Sequence, residues 1–449
     1  MTAKRLLLGT TILTSLALAG VATPALAGDL LLNDPPASNH TVSGIEDYDQ
    51  VIVGDDTYGN ILVIPTGATL YSGTISRISN RPAPPPSDPV TIPLNLVEVS
   101  GGTWSASDAL FIGADGSNAS LKISNGGSVT ARGQQITVGY AAGSSNNTVT
   151  VSGAGSSLVS EMNASRGEII VGGEGSSNSF VVQSGGSVTS KSDTTVGNSS
   201  DSHHNSITVD GAGSTWTSNV GFSVGGYGNN NRLTVSNGGK VTSSSFSVGA
   251  TGGADGNLVE VTGKGSDGTG SLLSVNSLQV GRHGLSQGNT ASVSNGGKIS
   301  ASSDVTIYSG NTLDVGEGGT LETKNLVLQN ASALRVAVSD TAPSSITASG
   351  TAMLDGDLTA VVTADQLKQR SYTLLHADGG ITGNFDSKTL SANEAIKAVF
   401  RNTEFGVYLD VTASAFELDG LSINQRNVAG AVDRIVNGDG NADDFIPLY

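Results

Sequence analysis

The sequence predicts an all-β chain wound as a right-handed parallel β-helix (a solenoid), with one short C-terminal α-helix. Three observations carry that prediction. A glycine-rich motif recurs nine times, apolar and polar residues alternate ahead of each copy, and 61 of the 449 residues are Gly while only 14% are charged. At this length a chain is either several domains or one elongated array, and fixed internal periodicity selects the array.

The first 27 residues have the form of a secretory signal peptide. Lys4 and Arg5 provide the basic start, Leu6 to Val21 an apolar stretch, and Ala25-Leu26-Ala27 a small-residue cleavage signal, so cleavage is expected between Ala27 and Gly28. Residues 28–95 lack the nine-fold motif. They contain Pro35-Pro36 and the run from Pro82 to Pro89, which reads as a stiff spacer, and an irregular N-terminal cap with a Pro-rich loop is expected there.

The repeats occupy 96–330. They include Val99-Ser-Gly-Gly102, Ile123-Ser-Asn-Gly-Gly127, Val151-Ser-Gly-Ala-Gly155, Val182-Gln-Ser-Gly-Gly186 and Val209-Asp-Gly-Ala-Gly213. The series continues with Val235-Ser-Asn-Gly-Gly239, Val261-Thr-Gly-Lys-Gly265, Val293-Ser-Asn-Gly-Gly297 and Val315-Gly-Glu-Gly-Gly319, at spacings of 22 to 32 residues. Two residues before each valine or isoleucine lies another apolar side chain, from Val97 to Leu313, as expected of a strand with one buried face.

Glycine then supplies the turn, since it takes positive φ without steric cost. A second strand follows at Trp104, Val129, Leu158, Val188 or Trp216, and a third ends in an apolar-Gly pair such as Val138-Gly139. Several loops close on Asn, at 147, 205, 231, 257 and 289. Stacked at about 4.8 Å per coil, nine coils give a rod of roughly 43 Å.

From 331 to 420 the Gly-Gly signature fades while strand patterning persists and aromatics become denser, which predicts a closing region of the β-helix. In 421–449 Ser422 and Gln425 form a capping box ahead of a 3.6-residue apolar pattern at Val428, Ala429, Val432, Ile435 and Val436.

Composition excludes several functions. The formal charge is −17, and −19 once Lys4 and Arg5 leave with the leader, so nucleic acid is not an expected partner. There is no cysteine, so packing and backbone ladders must supply what disulfides supply in many exported domains.

The units Leu233-Thr-Val-Ser-Asn-Gly-Gly239 and Ile207-Thr-Val-Asp-Gly-Ala-Gly-Ser-Thr-Trp216 resemble the repeats of autotransporter (type V secretion) passengers and some PEP-CTERM surface proteins. The stretch from Ser371-Tyr-Thr-Leu-Leu-His-Ala377 through Ile381-Thr-Gly-Asn-Phe385 is similar to the folding-promoting end of such passengers. Asn424 to Asp433 is similar to the helical segment preceding the translocator barrel. The resemblance spans about 96–449 and implies export to the cell surface of a Gram-negative bacterium. An outer-membrane translocator barrel is implied as the export partner, because the 449 residues contain no set of barrel-type strands. It also implies contact with host or neighbouring cells, or self-association.

β-Helices also carry polysaccharide lyases and hydrolases, which need clustered carboxylates. The outward column Glu98, Lys122, Thr150, Val181, Thr208, Thr234, Glu260, Ser292, Asp314 places no two acids side by side, and Glu168 and Glu174 fall in variable loops. The five histidines, at 40, 203, 204, 283 and 376, form neither a triad nor a metal site, the His203-His204 pair lacking a third ligand. The segment Asp439 to Asp443 fails the calcium-loop pattern because Asp444 stands at the required glycine. Gly225-Gly-Tyr-Gly228 departs from calcium nonapeptides at Asn230, and Arg166-Gly-Glu168 is not an integrin tripeptide. The expectation is therefore a non-catalytic structural or adhesive surface protein with no catalytic, cofactor-binding or metal residues. An enzyme on the same scaffold is the alternative.

Overall fold

The computed structural model describes residues 28–33, 38–55, 57–79, 95–161, 167–282, 285–364, 367–393, 396–413 and 422–436. The chain is a parallel β-helix. One sheet of 14 strands collects the first strand of each coil, from Asn39–Thr41 to Ser387–Ser391, and a 24-strand sheet collects the second and third. Thirteen steps at about 4.8 Å give the rod a length near 62 Å. Right-handed winding is what the twist of L-amino-acid strands imposes on such parallel crossovers.

Register follows chemical likeness. Val97, Leu121, Val149, Phe180, Ile207, Leu233, Val259, Ala291 and Leu313 stack one above another. All are wholly buried, as is the column from Val99 to Val315 two residues on. A one-residue slip would expose both columns, so burial at about 25 cal/mol per Å² of apolar surface fixes the pairing. Larger side chains fill the interior beside the second and third strands. Phe180 meets Trp216 edge-on at 4.7 Å, and Phe222 stacks on Phe246 at 5.0 Å. The buried indole N–H groups are satisfied, Trp104 donating to Ser72 Oγ and Trp216 to Thr194 Oγ1.

The Gly-Gly signature has a steric origin. The first glycine adopts positive φ, for example +78° at Gly126 and +90° at Gly238. The second lies against the coil below: a Cβ on Gly127, Gly186, Gly239, Gly297 or Gly319 would overlap a carbonyl oxygen of Val99, Val151, Val209, Val261 or Val293.

Two expectations need correction. Residues 28–95, expected as an irregular cap, carry regular coils from Leu30 to Ile78. Leu30–Leu32 pairs in parallel with Val51–Val53, which pairs with Ser76–Ile78, which joins the third strand of the next coil, Leu110–Ile112. Their turns use Ser43-Gly44 and Thr66-Gly67, so the ladder continues where the motif does not. The Pro-rich run 82–89 lies outside the described residues.

The second difference concerns the corner between second and third strands. It is an open loop in the early coils, but from Thr215–Val224 to Thr320–Leu328 the two strands merge into one bent strand, as in Lys240–Val248 and Lys298–Ile307.

The closing region keeps the parallel stack through Ser387–Ser391 and then reverses. Gly406–Ala413 pairs antiparallel with both Ser371–Ala377 and Lys397–Asn402. Beyond it, helix α1 (Ile423–Val436) begins with the expected capping box: the Ser422 N–H donates to Gln425 Oε1 at 2.9 Å, and the Gln425 N–H to Ser422 Oγ at 3.4 Å. Val428 of its apolar pattern is 56% exposed.

Candidate functional site

The outward column of the first strands has the expected register, and its charges are neutralised by neighbours. Lys122 Nζ lies 3.2 Å from Glu98, Arg232 pairs with Glu260, and Arg335 lies 4.0 Å from Asp314. Burial raises the pKa of Asp314, with Arg335 opposing the shift. Glu168, expected in a variable loop, instead opens the strand Glu168–Val171 and stacks beside Gln135 in the ladder. Among the described residues no three His, Cys, Asp or Glu side chains converge as a metal site.

The histidines are dispersed. His40 contacts Glu46 at 2.7 Å, and the Tyr48 hydroxyl donates to the same carboxylate. Burial first, then Glu46, pushes the Tyr48 hydroxyl up to about 12. His203 Nδ1 accepts from the Asn229 N–H, and its ring centre lies 6.4 Å from that of His204. His376 contacts Asp378 at 3.0 Å. His283, Arg166, Ala27 and the Asp439–Asp443 segment fall outside the described residues, and Gly28 marks the first described position. Gly225 faces Asn257 of the next coil and belongs to a structural device.

That device is a ladder of buried asparagines. Asn147, Asn178, Asn205, Asn231, Asn257, Asn289 and Asn311 occupy one interior corner in successive coils. From Asn178 to Asn311 each Oδ1 accepts the backbone N–H of the asparagine below, at 2.8 to 3.0 Å, and Asn147 Oδ1 accepts that of Ala119 at 2.8 Å. Most also receive that residue's side-chain amide. Each amide fills space above a positive-φ glycine that ends a third strand: Gly113, Gly139, Gly172, Gly197, Gly225, Gly249 and Gly281. The recurring Asn and the recurring Val-Gly are therefore two halves of one contact.

One concave feature opens on the outer surface. It forms where the corner between second and third strands is a loop, in the coils containing Ile75, Asp108 and Gln134, and encloses about 540 Å³. Phe111 stands between the interior residues Leu110 and Ile112, so strand alternation points it outward, yet it is only 8% exposed. Tyr140 of the next coil packs on it with ring centres 4.5 Å apart at 43°. Ile75, Ala109 and Ala114 complete the apolar floor. Arg77, Asp108, Asp115, Gln134 and Gln135 supply the polar lining. Among the described residues Arg77, Asp115 and both glutamines make no side-chain hydrogen bond or ion pair, and Asp108 bonds only the adjacent Ala109 N–H.

Sequence reading missed this groove, because its residues belong to three coils and share no motif. The available signal was Phe111, the one aromatic at a position filled in later coils by Thr137, Ile170, Thr195, Ser223, Ser247, Gln279 and Thr306.

No known family pattern matches the chain, and no curated protein matches it. Among solved structures, one similar chain is the crystal structure of a hyper-glycosylated TibA fragment whose modification is catalysed by TibC. It is 17% identical, the alignment covers 82% of this chain and 100% of that one, and the TM-score is 0.33. At that value the likeness carries no argument about function.

Proposed function

We propose that the chain is an exported, surface-exposed passenger of the autotransporter type, with a structural or adhesive role and no catalysis. The observation that supports this most is the in-register parallel stack of the 14-strand sheet. It displays long columns of Ser, Thr and paired charges, and it ends in an antiparallel hairpin laid over the last coils. Such a rod holds a fixed surface at a distance from its anchor and needs no disulfide. The leader-like N-terminus, the acidic charge and the resemblance of the repeats point the same way. The partners expected are a translocator barrel during export and a cell surface afterwards.

The test is proteinase digestion of intact cells producing the chain, with N-terminal sequencing and a cell-aggregation and adhesion assay against a deletion strain. The reading requires a mature N-terminus at Gly28, digestion from outside, and weaker adhesion or aggregation on deletion. Retention of an uncleaved chain inside the cell would overturn it.

A further inference from the structure

We infer that the groove over Phe111 and Tyr140 is a binding site for an uncharged sugar ring of a cell-surface glycan. The inference deepens the adhesive reading and rests on it, by supplying the ligand chemistry which that reading lacks.

Two aromatic rings meet on the outside of a protein in which both tryptophans, with Phe180, Phe222 and Phe246, are buried. Tyr140 nevertheless leaves 46% of its surface in water. An exposed aromatic face is unfavourable unless something covers it. Around that face lie polar side chains of which, among the described residues, only Asp108 has a partner within the protein, the adjacent Ala109 N–H. Elsewhere on the rod several charges are matched across coils, as in Lys298 with Glu322 at 2.6 Å. Here Arg77 and Asp115 share one groove without pairing. Two amides, two carboxylates and a guanidinium offer donors and acceptors in several directions beside an apolar platform.

Few ligands match both features. A purely apolar ligand would bury the carboxylates and amides unpaired, at a cost of about 1–3 kcal/mol each. A peptide adding as a strand finds no edge, because Leu110–Ile112 is already paired on both sides. An anionic ligand meets two carboxylates against one guanidinium, on a chain of formal charge −17. A pyranose has the required duality: its axial C–H face stacks on a ring while its hydroxyls both donate and accept. The enclosed volume falls within the range of about 300–1,000 Å³ typical of small-ligand sites.

The test applies the purified chain to an array of neutral hexose and N-acetylhexosamine oligosaccharides beside sulfated and sialylated ones. Neutral glycans are expected to be retained. Tyr140→Ala should weaken retention about tenfold, the loss of one stacking face. Asp115→Ala, which breaks no internal contact, should also weaken it. Tyr227→Ala, an exposed tyrosine on a distant coil, should leave it unchanged. Unaltered circular dichroism of each variant excludes unfolding.

Absence of neutral-glycan retention, a preference for sulfated or sialylated chains, or indifference to both groove variants would each overturn the inference. Release of new reducing ends from a retained glycan would overturn it as a binding site and support the catalytic alternative. If adhesion persists in cells carrying Tyr140→Ala, the groove assignment fails while the surface role stands. Loss of surface display instead removes the surface role, and array binding alone then decides the groove.

Discussion

The middle of the rod and its closing region solve the same problem with different chemistry. From Asn147 to Asn311 each coil is held to the next by strand ladders, apolar columns and the asparagine ladder, none of which carries charge. Past Asn311 the ladder stops. At the position of its glycines stands Tyr308, and at the position of its asparagines stands Ser332, whose buried hydroxyl has no partner.

There the chain turns to side-chain contacts that are partly exposed and ionic. Arg401 pairs with Asp410 at 2.6 Å and lies 4.4 Å from the Tyr408 ring centre, while Arg370 pairs with Asp340 at 2.9 Å and lies 4.7 Å from that of Tyr372. A repeat can extend indefinitely on one device, but an end has no next coil and must satisfy itself with whatever folds back. The same Gly–Asn coupling is interrupted early in the rod as well. Ser79 stands in the glycine column and Ala119 in the asparagine column, so the two positions change together there as they do at Tyr308 and Ser332.

The contrast can be broken most severely inside the ladder. Asn205→Ala removes the acceptor for both the N–H and the side-chain amide of Asn178 and leaves them buried. A loss of about 3 kcal/mol in urea denaturation is expected. Gly239→Ala forces a Cβ against the Val209 carbonyl oxygen and should cost about 2 kcal/mol by the same measurement.

Extending the ladder sharpens the comparison further. Ser332→Asn alone should destabilise, because the Tyr308 side chain occupies the side on which the ladder has glycine. Combined with Tyr308→Gly it should recover, giving a favourable coupling of about 1 kcal/mol in a double-mutant cycle. Additivity of the two substitutions would refute the paired-position rule.

Acid should distinguish the regions with the smallest effect. Hydrogen bonds from Arg401 and Ser371 hold the Asp410 carboxyl below its usual value. A depressed carboxyl contributes stability above the unfolded value, near 3.8, and loses it as pH falls through the folded one. Pepsin digestion at about pH 3, mapped by mass spectrometry, should therefore cut first within 397–413, while the coils joined by the asparagine ladder stay intact.

Much of this was legible because a parallel stack places like on like. The alternation around Val99 through Val315 gave strand, face and register together, and the outward column from Glu98 to Asp314 holds its expected order. The capping box at Ser422 and Gln425 is local and was equally readable. The first coils were not, since Ser43-Gly44 and Thr66-Gly67 turn the chain without a Gly-Gly signature. The asparagines were visible as loop endings, but their partners were not. Asn205 meets Gly172 and Asn178, 33 and 27 residues away, and only the coil geometry shows which glycine lies under which amide.

The sequence by itself determined the solenoid, because periodic burial admits one register, and it placed the helix. Only the tertiary structure decided the groove. Phe111, Tyr140, Arg77 and Asp115 belong to three coils, and nothing in their order along the chain brings them together. Stacking places Phe111 and Tyr140 side by side, an open corner loop gives them a concave wall, and the polar groups left unpaired around them give the surface a chemistry that no repeat unit contains.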